Sequence, residues 1–318
     1  MRSRVILVML CLTAACSPKG SDSASNHMAM AENIAVPQSQ ARDDRYRTVP
    51  TPATTTGTWY QAGAYRVRSR AAGVLIAPTP DLPSVAYEKK DDPYCHDNPP
   101  PKTVEGKWVR SRGWRVSEED RLGPFTVVGV LRRGEHGPGG ECQAIDGRFV
   151  VFDHGRPIAT VVTASVDGYQ LNQSEVMASG ALRLSSGPEE PPYGDLILVG
   201  RDLEITPLPP SDKVCDGRRT LPNIFARQIV DARKSLFAAG WNPVSRHRRL
   251  PALDNDGYGE VWSGADYLYH DGVTEVEDCD PRSRCQLGYR ARGAKATVFT
   301  RGDEVTAYVV DCAGRGRG

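Results

Sequence analysis

The chain has 318 residues, of which 40 are Lys or Arg and 39 are Asp or Glu, so its formal net charge is +1. This balance excludes a strongly basic nucleic-acid-binding domain, and no basic stripe is interleaved with aromatic residues. After the N-terminal segment, no apolar run approaches the ~18 residues of a membrane-spanning helix, so we expect the remaining chain to fold in water.

The N-terminal segment has the pattern of an export signal. Arg2 and Arg4 provide a positive start, Val5 to Leu12 form an apolar run, and Ala14-Ala15 are the small residues that a signal peptidase requires. The apolar run is about half of the ~20 residues that span a bilayer. The sequence therefore predicts a signal peptide over residues 1–15.

The segment LTAAC, which ends at Cys16, resembles the lipobox of bacterial lipoproteins, with Thr13 where leucine is commonest. In that family the cysteine thiol is diacylated, the chain is cut before it, and the new amine is acylated. The resemblance implies that Cys16 carries the lipid, palmitate included, and that Ser17 directs the protein to the outer membrane, facing the periplasm. Two or more acyl chains anchor a protein firmly. The alternative is an ordinary secretory signal that leaves Cys16 as a thiol.

Residues 16–58 are rich in Ser, Thr, Pro and Ala and contain almost no aromatic residue. Such a segment cannot bury enough apolar surface to offset chain entropy. We therefore predict a flexible tether between the lipidated cysteine and the folded body. The Gly- and Arg-rich residues 313–318 are predicted to form a disordered tail.

Residues 59–210 contain short β-branched and aromatic runs separated by Gly, Pro, Asp and Asn. The clearest hairpin is GRFVVFDHGRPIATVV, with Gly155 in its turn. LRLSSGPEEPPYGDLILV predicts a second hairpin with a longer loop. We predict a β-rich domain of about seven or eight strands, built as a sandwich or an open barrel.

The apolar period changes in the last part of the chain, residues 221–312. An amphipathic helix is predicted before Gly240, which stands at a helix C-cap position. GADYLYHDG (264–272) predicts a second, shorter helix, and four strand-like runs follow it. The fold class is therefore α+β, with the β-rich domain followed by a two-layer domain in which a helix pair packs on a four-stranded antiparallel sheet. The apolar stripe of the first helix comprises Ile229, Ala232, Arg233, Leu236 and Phe237.

The stretch LPNIFARQIVDARKSLFAAGW, Leu221 to Trp241, resembles the opening of a PASTA domain, the wall-binding repeat of penicillin-binding proteins and kinases. The resemblance implies a strand–helix unit and contact with peptidoglycan. In this chain Ala226 replaces the usual glycine, and the second half of the family's pattern is absent. The order of helices and strands is also similar to the modules of β-lactamase-inhibitor proteins. The shared residues are Leu221-Pro222-Asn223, Ala232-Arg233, Leu236 and Gly240.

The chain has eight cysteines, and six remain after the one in the signal and the lipidated one are set aside. An even number in an exported chain predicts disulfides. Cys279–Cys285 is favoured because CDPRSRC places a Pro-containing turn between two strand-like runs. Cys95–Cys142 then links the first half, and Cys215–Cys312 ties the linker to the last strand. Other pairings stay open, whereas the absence of a CxxC pair argues against a zinc site.

Motifs for chemistry are missing from the sequence. No GxSxG, SxxK, HExxH or HxH pattern is present, and the six histidines are scattered. Glu118-Glu119-Asp120 could supply paired carboxylates, but we interpret them as a solvated turn. DNDGYGE (Asp254–Glu260) lacks two ligands of an EF-hand loop, because Ala252 and Ser263 stand at essential positions. We expect no catalytic residue, cofactor or metal.

We therefore expect a non-catalytic binding or structural role in the cell envelope. Three alternatives are a peptidoglycan or glycan binder, an inhibitor or assembly factor that binds a periplasmic protein, and a hydrolase whose site is assembled from distant residues. An exposed aromatic patch would favour the first, although core packing is the default for most aromatic residues. The aromatic residues in question are Trp59, Tyr60, Tyr65, Trp108, Trp114, Tyr193, Trp241, Trp262, Tyr267 and Tyr269.

Overall fold

Strands dominate the computed structural model of the chain, so the strand-rich character expected from the sequence is confirmed. The described residues all belong to one compact unit of the chain, Thr48–Gly318. The structure describes residues 57–86, 95, 100–136, 142–164, 170–187, 189–244, 268–280 and 282–312.

Two helices and twenty strands have defined bounds within these ranges. In chain order they are β1 (Tyr60–Ala62), β2 (Tyr65–Ser69), β3 (Val74–Pro78), α1 (Val104–Ser111), β4 (Arg115–Leu122), β5 (Phe125–Leu131), β6 (Arg133–His136), β7 (Cys142–Ile145), β8 (Arg148–Asp153), β9 (Arg156–Thr163), β10 (Gln173–Val176), β11 (Leu182–Ser185), β12 (Gly194–Val199), β13 (Asp202–Thr206), β14 (Ser211–Val214), β15 (Arg219–Pro222), α2 (Ile229–Ala238), β16 (Asn242–Pro243), β17 (Val276–Cys279), β18 (Arg284–Ala291), β19 (Ala294–Arg301) and β20 (Glu304–Cys312).

Two sheets pack face to face in the first part of the chain. The first has six strands in the order β1-β2-β13-β12-β11-β10, and the second has five in the order β3-β9-β8-β5-β4. Only the β2–β13 pair is parallel among the pairs of these two sheets. Val67 and Leu184 of the first sheet share one apolar core with Ile76 and Phe149 of the second, and all four are fully buried. This is the packing of a sandwich.

Helix α1 covers the other face of the second sheet. Its Val109 joins Val128 and Phe152 in a separate apolar core. With both faces covered, β5 is buried at all seven positions, so FTVVGVL has no polar alternation. The expectation of strands alone over 59–210 was wrong here. The overlooked signal is Thr103, an N-cap whose hydroxyl accepts a bond from the Gly106 N–H.

A five-stranded antiparallel sheet forms the last part of the chain, in the order β16-β18-β19-β20, with β17 also paired to β18. Helix α2 packs on it through Ile229 and Leu236, which are fully buried with Trp241. Gly240 follows the helix with a positive φ of 80°, as a C-cap glycine should. Of the second predicted helix, only residues 268–272 are described, and three of these are helical. The helix pair is therefore not confirmed.

Three disulfides are present, so the expectation of disulfide bonds is confirmed. They join Cys95 to Cys142, Cys215 to Cys312 and Cys279 to Cys285, with Cα–Cα distances of 5.5, 5.4 and 4.1 Å. The second ties the turn between β14 and β15 to the end of β20. The segment between residues 210 and 221, interpreted as a linker, is this β14–β15 hairpin.

Candidate functional site

A cleft of about 540 Å³ lies where the six-stranded sheet meets the last strand of the chain. Its walls include residues 173–178 on β10 and the following turn, residues 212–216 on β14 and its turn, and residues 307–310 and 312 on β20. We call it the β10–β20 cleft. Because these segments are far apart in the sequence, no single segment allows the site to be predicted.

The floor of the cleft is a buried ionic network centred on Arg183 of β11. The guanidinium donates to Asp195 (Nε–Oδ1 2.9 Å, Nη2–Oδ2 3.1 Å) and to Asp212 (Nη1–Oδ2 2.5 Å, Nη2–Oδ1 2.8 Å). Tyr308 of β20 donates its hydroxyl to the same Asp212 carboxylate. Arg183 and both aspartates are at most 6% exposed. Two carboxylates surround one cation, so the floor carries an excess negative charge.

Arg183 and Tyr308 keep their protons at neutral pH. Burial alone lowers the pKa of Arg183, but the bonds to Asp212 and Asp195 outweigh burial and raise it. Burial, followed by the Asp212 charge, raises the pKa of Tyr308, so the phenol keeps its proton. The network therefore acts as a structural joint between β11, β14 and β20 and not as an acid or base.

Glu175 of β10 stands beside this floor, directly across from Arg183 in the strand pairing. Its side chain is exposed to solvent. Partial loss of hydration in the cleft raises its pKa, Arg183 opposes that change, and the charges of Asp212 and Asp195 add to it. A carboxylate in such surroundings is stabilised by a cation brought in from outside.

Apolar side chains complete the cleft. Among the described residues, five large apolar side chains are strongly exposed, and two of them, Val176 and Val309, line this cleft with exposures of 57% and 55%. Phe225 lies deeper and stacks on Tyr308 with ring centroids 4.4 Å apart. Exposed apolar side chains next to a carboxylate are typical of a surface that binds a ligand.

The carboxylates Glu118, Glu119 and Asp120 do not form the solvated turn expected from the sequence, because all three lie in β4. Glu119 accepts bonds from the backbone of Lys102 and Thr103 at the start of α1. The side chains of Glu118 and Asp120 lie on the opposite face of β4, and both contact the hydroxyl of Ser174 on β10. The Ser174 Oγ is 2.9 Å from Glu118 Oε2 and 2.6 Å from Asp120 Oδ2.

One hydroxyl proton cannot serve two ionised carboxylates, so the contact between Glu118, Asp120 and Ser174 favours an extra proton. Burial raises the pKa of Glu118, the bonds from Ser174 lower it, and the Asp120 charge raises it, with a net increase. Glu119 has the opposite shift. Burial raises its pKa, but bonds from Thr103 and Lys102 more than compensate and lower it.

These opposite shifts predict opposite pH dependences for two neighbouring variants. A raised pKa means that the fold gains stability from Glu118 below the ordinary value of 4.5 and loses it as the pH rises through the folded value. Glu118→Gln should therefore be more stable than the parent at pH 8, with the difference closing towards pH 4. Glu119→Gln should be less stable at pH 8 and approach the parent at low pH. Thermal unfolding midpoints between about pH 2 and 8 measure both, because the Glu119 difference closes only below the ordinary value of 4.5. Parallel curves for the two variants would contradict the assignment.

The described histidines do not belong to a group of side chains that could hold a metal ion. His154 is 87% exposed in the β8–β9 turn, with Nδ1 2.6 Å from Asp153 Oδ1, and His136 ends β6. In the part of the chain that the structure describes, no three His, Cys, Asp or Glu side chains are grouped to hold a metal ion. Asp254–Glu260 lies outside those residues.

Three of the PASTA-like residues and two of the described tryptophans are buried in the core. Leu221, Ala232 and Leu236 are fully buried, as are Trp241 and the equally enclosed Trp114. These side chains maintain the fold and do not form an exposed platform. Trp262 and Tyr267 lie outside the described residues.

The cleft residues were missed from the sequence, although two of them carried a signal. Arg183 and Asp195 are single charges inside apolar strand runs, ALRLSS and GDLILVG. Charged residues are almost never fully buried unless paired, so each implied a partner. Nothing in the sequence indicated that Asp212 and Tyr308 join them.

No family of known proteins, no curated protein and no solved structure matches the chain. Among the described residues, no helix has the length and apolar character needed to cross a membrane. The functional assignment therefore rests on the chain's own geometry.

Proposed function

We propose that the chain is a lipid-anchored envelope protein with a non-catalytic binding role, and that the β10–β20 cleft holds part of a periplasmic protein. The anchor is Cys16, after removal of residues 1–15. Residues 16–58 then act as a tether that extends from the outer membrane into the periplasm. The body comprises a β-rich domain, 59–210, and an α+β domain with a helix pair, 221–312. The separate apolar cores of these two parts support that division.

The observation that carries the proposal is the cleft itself. Its volume of about 540 Å³ falls within the usual range for ligand sites. Val176 and Val309 are exposed on opposite walls, where a partner's apolar side chains can cover them. The cleft therefore combines apolar contacts with a carboxylate, Glu175, whose charge lacks full hydration.

The two other classes of function have less support. Glycan sites present exposed aromatic faces, whereas Trp114 and Trp241 are buried and Trp59 and Trp108 are half-buried. A hydrolase would use Glu175 with a second acid or base. The neighbouring Tyr308 retains its proton, and two carboxylates fully engage Arg183.

Photo-crosslinking in the producing bacterium tests the proposal. A benzophenone amino acid in place of Val309 is expected to give one discrete protein adduct, because this side chain lies inside the cleft. The same probe in place of Val199, which is 47% exposed outside the cleft, is the matched control. The adduct should fractionate with membranes and be released into the soluble fraction by Cys16→Ser.

Two outcomes would contradict the proposal. Equal adduct yields at positions 309 and 199 would show that the cleft is not a preferred binding site. Saturable pelleting of the full chain with purified cell-wall sacculi, without any protein adduct, would favour the glycan-binding alternative.

A further inference from the structure

The β10–β20 cleft runs along the open edge of a strand. Residues 307–310 and Cys312 of β20 all line it. Successive side chains of a strand point to opposite faces of the sheet. A cleft lined by consecutive residues therefore follows the edge of β20 and not one of its faces.

The backbone of this edge has capacity to bind another strand. On one side β20 pairs with β19 from Glu304 to Cys312. On the other side, the described residues pair with β20 only at its start: Glu304 forms a bridge with Gln228, the Val305 N–H donates to Arg227 O (2.9 Å), and the Val305 carbonyl accepts from Ala226 N (2.8 Å). Beyond Val305 no described residue pairs with the outer edge of β20. The remaining stretch, Thr306 to Cys312, is long enough for an extended segment of about six residues.

The edge is held in place before anything binds. Cys312 is bonded to Cys215, and Tyr308 is fixed through Asp212 to the buried Arg183. A binding edge that is already ordered loses less conformational entropy on association. These contacts make the edge a rigid template for strand addition.

The charge of the cleft selects the chemistry of the added segment. Two lining cations are outnumbered by four lining carboxylates, of which Glu190 is bonded to Arg301 and Asp216 is paired with Arg218 at 3.5 Å. The floor keeps one carboxylate in excess over Arg183, and Glu175 adds a second negative charge. The Lys213 ammonium is bonded to the hydroxyl of Thr220, 2.9 Å away. The cleft is therefore negative and suits a cationic ligand. The lining carboxylates are Glu175, Glu190, Asp212 and Asp216, and the cations are Arg183 and Lys213.

We propose that the β10–β20 cleft binds an extended, basic segment of a partner protein, which adds as a strand to the open edge of β20. A Lys or Arg side chain of the segment pairs with Glu175, and apolar side chains cover Val176 and Val309. This inference rests on the proposed function and deepens it by naming the class of partner and the mode of binding.

An added strand imposes a sequence pattern on the ligand. Its side chains alternate between the two faces of the extended β20 sheet, so basic residues should recur at every second position. Proline should be absent from the centre, because each edge-facing residue must donate its N–H to β20.

A peptide selection tests the pattern. Random twelve-residue peptides displayed on phage are selected against the immobilised full chain in detergent micelles, with disulfides intact. We expect enrichment of proline-free sequences with alternating Lys or Arg. A fluorescent copy of the leading peptide should bind Glu175→Gln roughly tenfold more weakly than the parent chain, as expected for loss of one close charge pair. Glu105→Gln, on the remote helix α1, is the matched control and should bind like the parent.

Backbone methylation separates strand addition from side-chain contact. Two versions of the peptide carry N-methyl groups on alternate residues, in the two possible registers. Strand addition predicts that one register loses more than about tenfold in affinity while the other is tolerated, because only alternate N–H groups face the edge. In the bound state, amide hydrogen exchange should slow in residues 307–312.

Equal tolerance of both methylated registers, or unchanged affinity for Glu175→Gln, would overturn the inference, as would a selection that enriches no basic peptide. If such a result coincides with a discrete adduct at position 309, strand addition is wrong and the protein-binding proposal stands. If the adduct is also missing, both are wrong.

Discussion

Arg183→Met is expected to lower the free energy of unfolding by about 3–5 kcal/mol, because it leaves two buried carboxylates without their cation. Asp195 and Asp212 are 5% and 6% exposed, so water cannot replace the lost guanidinium. Tyr308 would also lose its position in the network. The effect should appear as a shift of the urea midpoint of the full chain in detergent, followed by tryptophan fluorescence.

Arg66→Met is the matched control for this substitution. Arg66 forms the same kind of ion pair on the same sheet, with Asp202 at 2.5 Å, but its side chain is 56% exposed. Solvent screens the exposed pair, so Arg66→Met should leave the urea midpoint nearly unchanged. Equal midpoints for the two variants would show that burial of the Arg183 network does not determine its contribution. Adding Asp195→Asn and Asp212→Asn to Arg183→Met should recover part of the loss, because the uncompensated charges are then removed.

Glu275→Ala is expected to cost a similar amount, about 3–5 kcal/mol, between helix α2 and the five-stranded sheet of the last part of the chain. Glu275 is fully buried and binds Arg233 of α2 in two places, Nε–Oε1 at 2.6 Å and Nη2–Oε2 at 3.1 Å. It also accepts the Tyr289 hydroxyl at 2.6 Å. Burial, and then the Glu275 charge, raise the pKa of Tyr289, so this hydroxyl always needs an acceptor. Truncation removes the acceptor of the Arg233 guanidinium, the Tyr289 hydroxyl and the Thr274 N–H.

The same urea titration distinguishes this role from generic loss of a surface charge. Glu275→Gln retains an acceptor and should cost less, about 1–3 kcal/mol. Asp231→Ala, which removes an exposed pair with Lys234 on the same helix, should leave the midpoint nearly unchanged. A Glu275→Ala midpoint indistinguishable from that of Asp231→Ala would contradict a structural role for the buried ion pair.

Elements that depend on residues close together in the sequence could be predicted from it. The β8–β9 hairpin forms where Gly155 was expected to turn the chain, with a φ of 80°. Helix α2 begins at Ile229, the first residue of the predicted apolar stripe. One member of that stripe, Phe237, is instead 41% exposed. Local periodicity predicted that a helix forms here, but not how far the apolar face extends.

Features that depend on contacts between residues far apart in the sequence could not be predicted. Glu175, Asp212 and Tyr308 meet only because β10, β14 and β20 are brought together by the whole topology. No rule based on spacing connects residues so far apart in sequence. Helix α1 was missed for a different reason: it is eight residues long, too short for periodicity to outweigh the surrounding strand pattern.

The parallel pairing of β2 with β13 also imposes an order of assembly. Arg66 contacts Asp202 across this pair, 136 positions later in the chain. Until that late strand has been synthesised, β2 has only β1 as a neighbour, and the six-stranded sheet stays open. Contacts of such long sequence separation form slowly, because a large loop must close before they contribute. Strands β1 and β2 therefore join the six-stranded sheet only after β13 is available, and the sandwich cannot be complete before Thr206 has been synthesised.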